Sequence, residues 1–526
     1  MADPYFPTAV ERELARRRKV SRPVFIVFLV LFLAFLIVLI TLLFTLAGFF
    51  RETTPHYSSP VDHFKYGSIG TEPASGLPRK LWDALPYLFE EEFGGKKDYS
   101  AFGFLYEDEN GAPKPLPIGI SERRYRGVDL VWFNCATCHV GTYRTGAEEP
   151  AVIVPGMPSN NLKLDEFIAF VVSTAASEKL SSDTVFAAIE ESGARLGALE
   201  KLYWRLLVLP RVREELIVRA SRLKPLQEHQ PDWGPGRVDT FNPYKVIQMN
   251  VPMEELTEEE LIGASDFPSI FLQGPKEGMN LHWDGNNASL SERNLSAAIG
   301  AGVTPETVDH KAIGRVADWL KDLEPPKQPP LPHSEDQADH AEAIEAGKAV
   351  YMQACAACHG FVNNGTYVFE GAVLGEVEPI DKVATDRGRL DSYTEAFRAQ
   401  QLDQLFAGTP HQFRHFRKTD GYANMPLDGL WLRAPYLHNG SVPTLYDLLL
   451  PPGERPRTFL RSSDVLDAER GGFQAPECET STSNDASNNG FCFDTSLIGN
   501  GNYGHDYGTD LTPAERDSLL LYLKTF

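Results

Sequence analysis

Two five-residue stretches stand out for their chemistry. Cys135-Ala136-Thr137-Cys138-His139 and Cys355-Ala356-Ala357-Cys358-His359 share the pattern Cys-x-x-Cys-His. Two thiols on one tight turn can add across the two vinyl groups at one edge of a porphyrin. The adjacent imidazole then projects beneath the ring to ligate iron, and its second nitrogen needs an acceptor to hold the orientation. A zinc site also uses Cys-x-x-Cys, but its halves normally lie tens of residues apart rather than roughly 220. A redox dithiol explains one pair and gives no reason for a histidine directly after both. The motifs predict two covalently bound haem c groups, with His139 and His359 as iron ligands.

The opposite face of each iron decides what such a group does: filled, it mainly passes electrons; vacant, it can bind peroxide or dioxygen. Of the eleven remaining histidines, His56, His63, His229, His310, His333 and His340 fall in polar or linker surroundings, and His411 and His415 in a charged segment. His505 lies in the Gly-rich run Gly501-Asn-Tyr-Gly-His505-Asp-Tyr-Gly508, whose backbone can press close to a flat cofactor, and is the candidate second ligand of the His359 haem. Met425, in Asn424-Met-Pro-Leu, is the thioether alternative. His438, in Ala434-Pro-Tyr-Leu-His438-Asn-Gly-Ser, reads either as a pocket or propionate residue or as a satisfied structural histidine. His282 precedes Trp283-Asp284-Gly285-Asn286-Asn287. Cys478 and Cys492 enclose a Ser/Asn/Asp-rich segment. In an oxidising compartment they form a disulfide, whose loop closure contributes roughly 3 kcal/mol in the chain-entropy picture; two free thiols are the alternative.

The elements that must position these groups follow from patterning. Residues 23–50 carry no charge and, as a helix, reach ~42 Å, enough to cross a bilayer core of ~30 Å. Before them stand Arg12, Arg16, Arg17, Arg18, Lys19 and Arg22, which the positive-inside bias keeps in the cytoplasm. The expectation is one inner-membrane span with the rest of the chain in the periplasm. A cleaved signal ending near Thr45-Leu46-Ala47 is the alternative, and it also exports the body. The 526 residues carry a net −22, with 42% apolar and 23% charged residues. Removing the first 50 residues' six basic and three acidic groups leaves −25 on the exported part, which disfavours nucleic acid and suits a basic redox protein as partner. Helical periodicity runs from about Leu164 to Leu223, with Phe167, Phe170, Leu199, Leu202 and Leu206 expected inside. A further helix at 305–323 meets the Pro-rich run from Glu324, which cannot continue it. Thr512-Pro513-Ala-Glu515 predicts a capping box opening a terminal helix. The reading is mainly α: a basic tail over 1–22, a membrane helix over 23–50, an N-terminal haem domain with a helical insertion over 51–323, a linker over 324–335, and a C-terminal cytochrome c domain over 336–526.

Ala434–Leu445 resembles the signature loop of bacterial dihaem cytochrome c peroxidases and their relatives. The fuller set, namely Gly234–Pro243, Leu281–Asn287, Glu292-Arg-Asn294 and Gly504–Gly508, resembles more closely the rubber-oxygenase-like dihaem c-type cytochromes within that superfamily. The resemblance implies two cytochrome-c-like domains with loop-rich insertions. It implies a C-terminal haem held by His359 and His505, and a reactive N-terminal haem on His139 with an open or weakly occupied face. It also makes Trp283 the candidate electron relay between the haems, although a buried core residue accounts equally well for a single Trp. Two departures stand out: the rubber-cleaving members are secreted, and their phenylalanine over the reactive haem is replaced near Glu292-Arg-Asn294 by Leu295 and Ile299. No methionine stands where peroxidases ligate their electron-entry haem, and an interdomain calcium, as in related peroxidases, finds no ligand set. The expected function is electron transfer with peroxidase- or oxygenase-like chemistry at the His139 haem. The rival is a pure electron carrier with two six-coordinate haems, working between a membrane dehydrogenase and a terminal acceptor. The sequence leaves the oligomeric state open.

Overall fold

The computed structural model describes residues 7–329, 337–479 and 490–526. About 43% of it is helical, and the strands run for only two to six residues. The chain divides into two units. The first is Met1–Thr53 with Arg124–Asp129. Its helix, Ala9–Phe49, contains Val24–Phe49, 26 residues of mean hydropathy 3.5. By length and composition this segment can cross a membrane. Thr53 and Arg124 close the unit by exchanging main-chain hydrogen bonds of 3.3 and 2.8 Å.

The second unit comprises Thr54–Arg123 and Leu130–Phe526. Its N-terminal half is built on aromatic packing: Trp82 stacks on Tyr99 with centroids 3.7 Å apart, and Phe93, Phe102, Phe167 and Phe170 close around them edge to face. In the C-terminal half the helix Gln337–Ala354 crosses Pro513–Leu523, burying Tyr351, Leu519, Tyr522 and Phe526. The crossing is close enough that a Cβ on Gly347 would lie 1.9 Å from the Ser518 carbonyl oxygen, so only glycine fits. The terminal helix opens as expected. Thr512 accepts from the Glu515 N–H and the Glu515 carboxylate accepts from the Thr512 N–H, a box contributing ~1 kcal/mol.

The long helical stretch differs from expectation. It breaks into Leu164–Thr174, Ser182–Glu191, Ala198–Tyr203 and Leu209–His229. Phe167 and Phe170 are buried, but Leu199, Leu202 and Leu206 are 84%, 53% and 62% exposed rather than core. The buried residues here are instead Trp204, Val208 and Leu209, at the π-turn Trp204–Val208, whose wider turn brings Leu209 in beside Val208. The Pro-rich segment is non-helical from Glu324 to Pro329, and its remainder lies outside the described residues.

Candidate functional site

The first Cys-x-x-Cys-His turn is held from below by Asn134. Its side-chain oxygen accepts from the Ala136 N–H at 2.9 Å, and its amide donates to the Gly67 and Lys65 carbonyls. Thr137 Oγ1 donates to the Gly119 carbonyl at 2.7 Å. With the turn fixed, Cys135, Cys138 and His139 line a cavity of about 350 Å³, closed elsewhere by Phe241, Ile270 and Val316. That volume is in the usual range of ligand pockets, roughly 300–1,000 Å³. Both thiols are free, and burial pushes them up to about 11 and 12, unlike the lowered thiol of a redox dithiol. His139 Nδ1 lies 3.0 Å from the Pro268 carbonyl oxygen. A carbonyl only accepts, so Nδ1 carries the proton and Nε2 keeps its lone pair for a metal. Burial, with the Arg293 charge second, holds the His139 pKa down to about 3, so the ring is neutral.

The second turn continues the helix Gln337–Ala354 directly into Ala356–His359. His359 repeats the arrangement of His139, with Nδ1 2.8 Å from the Met425 carbonyl oxygen. Its imidazole faces that of His505, with ring centroids 6.2 Å apart and planes 41° apart. Two metal–nitrogen bonds of about 2 Å, with each ring's own radius added, span roughly that separation. His505 sits at φ +52, its N–H donating to the Val383 carbonyl at 2.7 Å. Its loop is gripped by the buried Arg455, which donates to the carbonyls of Asn502, Gly504 and His505 on one side and Leu448 and Leu450 on the other. His505 Nδ1 is buried and satisfied by no protein group. Met425 takes part through its main-chain carbonyl. Both sites thus fit haem c: paired free thiols, an oriented neutral imidazole, and either a cavity or a facing imidazole. Among the described residues no cluster of three or more His, Cys, Asp or Glu is placed to hold a metal ion by itself.

Trp283 touches both neighbourhoods. It lines the His139 cavity and donates from Nε1 to the Asp266 carbonyl at 2.8 Å. Its own carbonyl accepts from the Ala423 N–H, two residues before Met425, and it packs against the cluster of Val383, Leu390 and Tyr422, in which the Val383 carbonyl receives the His505 N–H. His438 is placed off the cavity wall. Its ring stacks on Tyr422 at 4.2 Å, with Nε2 2.9 Å from the Tyr422 hydroxyl, which donates on to the Asp386 carbonyl. Its carbonyl accepts from the Asp266 N–H. These are the contacts of an anchoring residue. Cys478 and Cys492 are joined as a disulfide.

Leu295 and Ile299 do not stand over the first cavity. The helix Leu290–Gly300 buries them on its other side, in a cluster with Tyr244 and Phe397, and turns Arg293, Ala297 and Gly300 toward the cavity. The i, i+4, i+7 spacing of those three was the available signal. Asn134 carried no comparable one, because the carbonyls its amide reaches, Lys65 and Gly67, lie far away in sequence.

The RoxA-like, cytochrome c-like family matches residues 421–460, the stretch holding Tyr422, Met425 and His438. This supports a link to RoxA-like cytochromes and a c-type cytochrome redox role with covalently bound haem c. Two proteins of Sinorhizobium fredii are similar. The uncharacterized protein y4iM is 30% identical over 260 residues, 46% of this chain and 57% of that protein. The uncharacterized protein y4iJ is 41% identical over 113 residues, 20% of this chain and 17% of that protein. The chain spans less than two thirds of the length of either relative.

Proposed function

We propose that this is a membrane-anchored, periplasmic dihaem c-type cytochrome of the rubber-oxygenase-like kind, within the dihaem cytochrome c peroxidase superfamily. In this reading Cys135, Cys138 and His139 hold one haem, and Cys355, Cys358, His359 and His505 hold the other. Haem c supplies one-electron redox chemistry and, on an open face, a place for a small molecule to bind. The carrying observation is the asymmetry of the two sites: His359 faces a second imidazole at 6.2 Å, whereas His139 opens on a cavity of about 350 Å³. Peroxidase- or oxygenase-like chemistry belongs to the open side. Trp283, in contact with both neighbourhoods, relays the electron. The −25 body docks a basic redox protein, at a rate that falls as salt rises.

Electron paramagnetic resonance of the oxidised holoprotein tests this. One high-spin and one low-spin haem per chain, with only the high-spin signal changed by peroxide, is the expected result. Two low-spin signals inert to peroxide would favour the pure carrier, for which the neutral imidazole of His282 on the first cavity's wall is the supporting observation.

A further inference from the structure

The proposed function leaves one polar wall of the first cavity without a role. It comes from the loop Leu281–Asn287, pinched shut where the Leu281 N–H donates to the Asn287 carbonyl at 2.7 Å, and from the helix Leu290–Gly300. His282 is held there at φ +65, a left-handed conformation that costs a non-glycine residue on the order of 1 kcal/mol and that clusters at functional sites. Its Nδ1 lies 2.6 Å from Asn286 Oδ1. An amide oxygen only accepts, so Nδ1 carries the proton and Nε2 is left as an acceptor. Burial and the nearby Arg293 hold the His282 pKa down to about 4, which keeps the ring neutral.

The neighbours complete a pattern. Arg293, whose pKa burial lowers to about 10, bonds the Asn294 amide oxygen at 3.3 Å, and no carboxylate pairs with it among the described residues. Asn294 in turn donates to Gln273 Oε1 at 3.0 Å. Gln273 and Asn286 are 2% and 0% exposed, and each has an amide nitrogen that no group satisfies. A guanidinium without a carboxylate, two unsatisfied amide donors and one imidazole acceptor on a cavity wall suit a guest that arrives with a proton and becomes an anion.

We propose that His282 and Arg293 form the binding site for a small protic ligand of the hydroperoxide or hydrogen cyanide class. The ligand's bond to hydrogen breaks, its proton passes to His282 Nε2, and the electron pair stays on the ligand. Arg293 and the two amides then hydrogen-bond the anion. This rests on the reading that haem occupies the cavity.

The test uses the oxidised holoprotein and hydrogen cyanide as the probe, followed by stopped-flow absorbance, with spin state and haem attachment at each cysteine pair measured in parallel. His282→Ala is expected to slow cyanide association about 100-fold or more. Asn286→Leu, which removes the partner of Nδ1, should slow it less. Arg293→Leu should speed dissociation roughly tenfold. All three should leave the low-spin signal of the second haem in place, which also reports that the variant folds. Association unchanged in both His282→Ala and Asn286→Leu overturns the proposal. So does a wild-type first haem that is low-spin and becomes high-spin in His282→Ala, because His282 is then an iron ligand. Absence of haem from Cys135 and Cys138 overturns instead the functional reading beneath it.

Discussion

The two Cys-x-x-Cys-His turns are chemically alike and differently housed. Each sets its histidine by an Nδ1–H bond to a distant main-chain carbonyl, Pro268 in one case and Met425 in the other. Beyond that they diverge. His359 looks at His505, carried on a loop that Arg455 grips through three carbonyls, whereas His139 looks into a cavity with a polar wall. The attachment motif therefore says where a haem is fixed, and the segment brought to the other face says what it is for.

The largest test of this contrast is His505→Ala. It should convert the second haem from low-spin to high-spin while leaving the first unchanged; an unchanged low-spin spectrum would remove His505 as a ligand. Next comes Arg455→Met, which strips five carbonyls, two of them fully buried, of a donor. It should destabilise the protein by about 3 kcal/mol or more, seen as a lower urea midpoint. Part of the second haem should also turn high-spin, and an effect on the first site instead would reverse the assignment.

Acid gives a smaller, graded effect. His282 and His438 are buried and neutral, with pKa values pushed below the ordinary 6.5, for His282 to about 4. The unfolded chain takes up their protons first, so stability is full above pH 6.5 and is lost as pH falls toward 4. His282 contributes about 1.4 kcal/mol per pH unit in that window, and His438 adds in the same direction. Urea melts at pH 7 and pH 5 check the sign, and in His282→Phe the slope should shrink by one proton.

What was legible in the sequence was what is local in the chain. The Cys-x-x-Cys-His turns and the Thr512–Glu515 capping box are complete within a few residues. The Gly-rich setting of His505 pointed to a close backbone approach, and the structure brings that loop to His359. What was hidden depends on partners far away. Any residue can offer a carbonyl, so nothing marked Pro268 or Met425 as acceptors, nor the carbonyls of Asn502, Gly504 and His505 as the partners of Arg455. Leu199, Leu202 and Leu206 misled because an apolar stripe shows a helix but not which of its faces is covered, and Trp204 and Val208 on another face are the buried ones. Leu295 and Ile299 are near Glu292-Arg-Asn294 in sequence, but the helical period puts Arg293, Ala297 and Gly300 on the cavity instead.

The short run of backbone from Ala423 to Met425 has a mechanical consequence. At one end the Ala423 N–H donates to the Trp283 carbonyl, and at the other the Met425 carbonyl accepts from the His359 ring. A shift of the Trp283 backbone would reach the His359 imidazole through these two hydrogen bonds. Lengthening that span by one amino acid would cut the linkage while leaving every ligand intact.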